Sequence, residues 1–345
     1  MSTALLYLHC LSFVCAVGFS AQSAAAAMRA GISGFSELPY IDNRGESLFG
    51  ALVPGLENLR TNRSRTTALL VQAFSGIQDR LPPQMHLQEW PLVLCTGEPE
   101  RPGMRLGGLV TEVEDRLQIG FMREGSSHLG TGAIAGFQAL ARAGEVLQGG
   151  RVPACWVAAA DCLVDGRTLQ WLDAARRLQT STQHDGLVPG EGAAVMLVAT
   201  QPLLPHALAV RGLGFSLETA TVLNEQPLLG TGLAQAVRSA LAQSSLDMHD
   251  IAFRLSDVAG ESYAFEEVAL TQSRLTRVPR ETQDLWLPAS SIGDCGAVAA
   301  LAQFAWAEQA FARGYAPGTH ALAHGSAPSG GRAAAVFEGK VAHVA

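Results

Sequence analysis

This chain has little charge, few aromatics and no long apolar run. Asp, Glu, Lys and Arg make up 16% of its 345 residues and aromatics 6%. Acids outnumber bases 31 to 24, a net charge of −7, and no cluster of Lys or Arg offsets this. Nucleic acid and anionic membrane surfaces therefore find nothing to grip. No window reaches the roughly 18 uninterrupted apolar residues of a membrane-spanning helix. The six cysteines, at 10, 15, 95, 155, 162 and 295, form no Cys-x-x-Cys pair and show no metal-ligand spacing with histidine. Most sit in apolar runs, which reads as buried, reduced thiols of a cytoplasmic protein, with no cofactor or metal called for. The opening 27 residues have the apolar core and small-residue stretch of a signal peptide. However, no Lys or Arg precedes the core and His9 interrupts it. We read the opening instead as a buried strand over Leu11–Val17, a glycine turn and a helix over Ser20–Arg29.

What the chain does have is a repeat. Gly132–Gly150 (GAIAGFQALARAGEVLQGG) and Gly296–Gly314 (GAVAALAQFAWAEQAFARG) match at a constant offset of 164, with six Gly or Ala positions identical. Apolar residues pair at Ile134/Val298, Phe137/Leu301 and Leu140/Phe304. Each copy is followed by a Gly-flanked apolar run, from Gly190 and from Gly330. A helix-then-strand unit used twice predicts a duplicated α/β fold with halves 1–200 and 201–345, joined at 200–205. The two repeat helices should be the most buried, packed on each other between sheets, because Ala and Gly permit close approach. The residues just before them should face each other across a pseudo-twofold axis. Other strands are predicted at Pro91–Cys95, Ala154–Ala160, Ala193–Val198, Leu208–Phe215, Ile251–Ser256 and Ala333–Glu338. Further helices are predicted at Thr66–Arg80, Arg167–Leu178, Gly232–Gln243 and Phe265–Ser273, and Gly325–Gly331 is read as a loop.

Five segments in order resemble the thiolase superfamily, specifically the β-ketoacyl-ACP synthases. Val14–Gly18 with Ala25–Ser33 (AAAMRAGIS) is similar to that family's first strand, turn and helix. Cys155–Val164 stands at the strand ending in its acidic turn. Asp185–Ala193 (DGLVPGEGA), Ser291–Ala297 (SIGDCGA) and Ser329–Ala334 (SGGRAA) are similar to three later loops. The resemblance implies a five-layer αβαβα fold and a homo- or heterodimer paired through the strand Ala154–Ala160. It also implies acyl-ACP or acyl-CoA as the associated ligand class.

The same resemblance places the condensing machinery, and there the chain departs from it. The family needs a cysteine at a helix N-terminus, where the dipole favours the thiolate, and two imidazoles, or an imidazole and an amide, to polarise a thioester carbonyl. Here those positions fall at or beside Thr131, at about Ser256 and at Asp294. Substitute candidates are His128 with Thr131, and Cys295, the repeat partner of Thr131. Each also has a structural reading, His128 as a surface or capping group and Cys295 as a small residue in a tight loop. Glu191 reads as an acceptor for buried backbone donors. Asp257, Glu261 and Glu266 read as an acidic cluster or, more simply, a solvated loop. The expectation is a ketosynthase-like scaffold, adaptor or accessory protein without condensing activity. The resemblance extends to ketosynthase-like proteins associated with type VI secretion effector loading. The alternative is an acyltransferase, a 3-oxoacyl-ACP synthase or a chain-length-factor-like subunit of fatty acid or polyketide synthesis.

Overall fold

The computed structural model describes residues 5–339 apart from 76, 78, 79, 83, 84, 87, 89, 225 and 279–281. The first half contains β1 (Leu6–Cys15), α1 (Ala21–Arg29), the hairpin β2 (Phe35–Ile41) and β3 (Ser47–Ala51), α2 (Asn62–Phe74), β4 (Pro91–Cys95), α3 (Leu109–Leu117), β5 (Met122–Leu129), α4 (Ala135–Gln148), β6 (Ala154–Cys162), α5 (Gly166–Ala174) and β7 (Glu191–Ala199). After a link over 200–207 come β8 (Leu208–Leu217), α6 (Thr231–Ser244), β9 (Phe253–Ser256), α7 (Ser262–Leu275), β10 (Asp284–Trp286), α8 (Ala289–Ile292), α9 (Ala299–Ala312), β11 (His320–Ser326) and β12 (Gly331–Glu338).

The duplication is visible in the strand wiring. The order is β10-β9-β11-β12-β8-β1-β7-β6-β4-β5. Replacing β1, β4, β5, β6 and β7 by β8 to β12 reproduces each pairing and its sense. β4 is parallel to β5 and β6, as β9 is to β10 and β11. The returns β6–β7–β1 and β11–β12–β8 are antiparallel. The two sets of five strands meet only where Leu6–Leu8 pair with Leu208–Val210.

Alternation along the strands sorts apolar residues into three layers, which makes the fold five layers deep. Val93, Val157, Met196, Phe253 and Ala323 face a central core that also contains α4 and α9. Leu92, Trp156, Val195 and Leu197 face an outer layer with α2 and α3. Leu322 and Val336 face the other outer layer, on α6. Both repeat helices begin with a 3-10 turn whose first glycine has positive φ, +59° at Gly132 and +52° at Gly296. The 164-residue offset therefore holds in backbone conformation as well as in composition. At Gly136 a Cβ would overlap the side chains of Leu301 and Ala300, so glycine there lets α4 and α9 touch. Phe137 and Phe304 meet edge to face at 5.1 Å.

Several expectations need correction. Residues 299–311 of α9 are all buried, but α4 is buried on one side only and carries the Arg142–Glu145 ion pair on the other. The strand Ala154–Ala160 is not an edge. β6 lies between β4 and β7 and is buried on both faces, and its unbroken apolar run already indicated an interior strand. The edges are β5 and β10. β11 was missed: Gly325 and Ser326, read as loop, end that strand. The predicted helix over Thr66–Arg80 starts four residues earlier, capped by Thr61, and ends at Phe74; positions 76, 78 and 79 of the predicted span lie outside the described residues.

Candidate functional site

The C-terminal ends of β4, β6, β9 and β11 converge on the N-termini of α4 and α9. In sheets of this kind ligand crevices form at such strand ends. They enclose a cavity of about 90 Å³ lined by Glu98, Arg101, Arg177, Asp257, Glu261, Glu267, Asp294 and Arg332, with an apolar wall of Leu163, Trp171, Leu187 and Val258.

Three arginines are committed to carboxylates. Arg177 grips Glu261 through two bonds of 2.7 and 2.8 Å. Arg332 holds Glu267 at 2.6 Å and also donates to the Tyr263 hydroxyl at 2.8 Å. Arg101 pairs with Asp161, which in turn accepts the Ala297 N–H at 3.0 Å and so caps the turn leading into α9. That leaves Glu98, Asp257 and Asp294 without an arginine partner among the described residues. Asp257 accepts the Ser326 N–H at 2.7 Å, and Asp294 accepts the Gly296 N–H at 2.8 Å. Burial, reinforced by neighbouring carboxylates, outweighs these bonds. It lifts Asp257 to about 7 and Asp294 to about 6. Burial also raises Glu98, against the opposing pull of Arg101. No histidine or cysteine lines the cavity among the described residues. No three metal-ligating side chains gather at one point among them either.

The residues singled out from the sequence are dispersed relative to this cavity. Asp294 lines it. Thr131 does not: its half-buried hydroxyl donates to Gln138 Oε1 at 2.6 Å. The next residue, Gly132, is the one aimed inward, since a Cβ there would overlap the Glu98 carboxylate. Ser256 is fully buried and accepts the Val258 N–H at 3.3 Å. An imidazole does stand beside it, that of His324, with Nδ1 at 3.4 Å, delivered by the adjacent strand β11. Burial drives His324 down to about 3, so it is neutral. His128 lies on the edge strand β5 with Nε2 2.7 Å from Thr96 Oγ1, so the His128–Thr131 dyad does not form. Cys295 is 1% exposed, and its Sγ lies 3.2 Å from the Ile292 carbonyl. Burial, then Cys15 and nearby acids, raise its pKa well above normal, the reverse of what a nucleophilic thiol needs.

Glu191 accepts the Val53 N–H at 2.9 Å and is clamped by Arg65 at 2.6 Å, a structural role. Asp257 and Glu261 do cluster, around the cavity rather than in a solvated loop, whereas Glu266 points to solvent. The sequence reading missed Glu98, Arg101, Arg177, Glu267 and Arg332. A signal existed for the first two: the charged, Gly/Pro-punctuated segment TGEPERPG directly follows the buried strand PLVLC.

This duplicated five-layer fold is shared with solved ketosynthase structures. "The ishigamide ketosynthase/chain length factor" superposes with a TM-score of 0.77 at 16% identity, covering 96% of this chain and 99% of that one. A ketosynthase in complex with its chain length factor from Xenorhabdus doucetiae gives 0.73 at 14% identity, covering 96% and 97%. A β-ketoacyl synthase from Burkholderia phymatum gives 0.73 at 16%, covering 98% and 99%. No protein-family model and no curated protein matches this sequence.

Proposed function

We propose that this chain is a ketosynthase-fold subunit that does not condense acyl thioesters and acts through a protein partner. One observation carries the reading: the cavity at the two helix N-termini presents Glu98, Asp257 and Asp294 and neither cysteine nor histidine. Decarboxylative condensation generates negative charge at a carbonyl oxygen and needs an activated nucleophile. Asp294, held at about 6, is mostly ionised at neutral pH and opposes the first requirement, and no lining cysteine or histidine is there to meet the second. Loss of a single oxyanion donor typically costs about 10²–10³ in rate.

A partner is supported by the fold, whose solved relatives include pairs of a ketosynthase with a chain length factor. It is also supported by β5, an edge strand of eight residues bearing exposed Arg123, Glu124 and His128. An unpaired edge is a template for strand addition. Within the proposal the role is that of a scaffold or adaptor, the loading of secretion effectors included. The paired relatives favour a chain-length-factor-like subunit over that reading, with acyl-ACP as the shared ligand.

The test incubates the purified chain with labelled malonyl- and acyl-ACP, reading intact mass and product, and repeats this with tagged protein recovered from its native host together with whatever co-purifies. The expected result is no acyl-protein and no C–C bond formation by the chain alone, with a stoichiometric partner recovered. Malonyl-dependent product from the chain alone would overturn the proposal.

A further inference from the structure

At the far end of α9 from the cavity, a second groove of about 470 Å³ opens between the start of β1, the link over 202–207 and the end of β12. It shares no residue with the cavity above. Its walls are Tyr7, Leu204, Leu208, Phe311 and Ala312, and Glu308 of α9 lies at its floor. Glu308 is 7% exposed. One of its oxygens accepts the Cys10 N–H at 2.9 Å, the amide displaced where β1 bulges. The other, Oε2, is buried and meets no donor in good hydrogen-bond geometry, although the adjacent Gln309 amide favours the carboxylate. A buried carboxyl oxygen without a partner is costly, and a native structure that keeps one calls for an explanation.

We propose that this groove is a binding site for a primary alkyl ammonium ion, with Glu308 as its counter-ion. The chemistry follows from the geometry. Only one carboxyl oxygen is free, so the two-pronged fork of a guanidinium has no matching face, while the point charge of an ammonium does. The apolar walls suit an alkyl stem, and the volume falls in the ordinary range for small-ligand sites, about 300–1,000 Å³. The groove also abuts the last turn of α9, where the helix dipole favours a cation.

Other polar groups line the groove or stand beside Glu308, the neighbouring Gln309 amide among them. From β1 come Tyr7 and the Cys10 thiol, which burial and Glu308 itself keep neutral. The link contributes His206. Arg211 of β8 and Glu338 of β12 pair with each other at 3.2 Å. Burial holds the empty Glu308 at about 8. Binding an ammonium therefore requires the carboxyl to give up its proton to solvent, while the ligand keeps its own. Affinity rises about tenfold per pH unit below 8 and levels above it.

The experiment is calorimetric titration of the full chain with n-butylammonium chloride between pH 6 and 9, in two buffers of different ionisation enthalpy, with n-butanol as the uncharged control. We expect one site per chain, the stated pH slope, release of close to one proton at pH 7 and no binding of butanol. In Glu308→Gln, which retains an acceptor for Cys10, affinity should fall at least tenfold. If that variant does not fold, the wild-type pH slope and the butanol control decide. The proposal fails if no saturable binding occurs at any pH, or if Glu308→Gln binds equally well. It also fails if binding emerges only in Lys340→Met, since Lys340 is the chain's single lysine and its own ammonium would then be the occupant.

Discussion

Asp257 gives the sharpest test of how the cavity is built. Its carboxyl has an ordinary value of 3.8 and is held at about 7 in the folded protein, chiefly by burial. The folded state therefore binds the proton more tightly than the unfolded state. Stability is lost as pH rises from about 4 to 7, and the loss is complete above 7. A difference of about three pH units at about 1.36 kcal/mol each is about 4 kcal/mol. Asp257 keeps some contact with solvent, which screens part of this and leaves about 2–4 kcal/mol. Asp257→Asn removes the charge but keeps an oxygen for the Ser326 N–H. The variant should be more stable than the parent by that amount at pH 8, with the gap shrinking by more than half at pH 5. Urea unfolding followed by tryptophan fluorescence at both pH values reads this directly. A variant less stable at pH 8, or a gap independent of pH, would refute the reasoning.

Three further outcomes follow from specific contacts. Gly132→Ala combines positive φ with overlap onto Glu98 and should destabilise by about 2–3 kcal/mol. Adding Glu98→Ala should recover the overlap but not the backbone strain, so purely additive effects of the two changes in thermal denaturation would count against this packing. Arg65→Met leaves the wholly buried Glu191 carboxylate unpaired and should cost about 3–5 kcal/mol; a loss under about 1 kcal/mol in urea unfolding would show that the pair is not structural. Cys295 should resist iodoacetamide in the native protein at pH 8 and label fully in urea, as its burial and raised pKa require. Rapid native labelling mapped to that residue would restore it as a nucleophile candidate.

Much of the fold was legible because its signals are local. The Ala/Gly repeat specified two helices able to touch, and the structure shows them touching at Gly136 and at Phe137–Phe304. Runs such as PLVLC and AAVMLV are apolar on both faces and short, which reads as interior strand, and both are. Where the signal was mixed, the reading failed. HALAHGS carries two histidines and a glycine and is nonetheless β11, because β9 and β12 enclose it on either side.

The sequence by itself determined the duplicated α/β architecture, because hydrophobic periodicity and glycine placement act over a few residues and are written in order along the chain. It also determined that Asp294 stands beside the start of the second repeat helix. Only the tertiary structure decided that Glu98, Asp257 and Asp294 share one cavity, that Arg101, Arg177 and Arg332 are already spent on other carboxylates, and that Ser256 faces His324. These residues come from segments tens to hundreds of positions apart. Their charge states depend on which of them burial brings together, and that is set when the two sets of five strands close around α4 and α9.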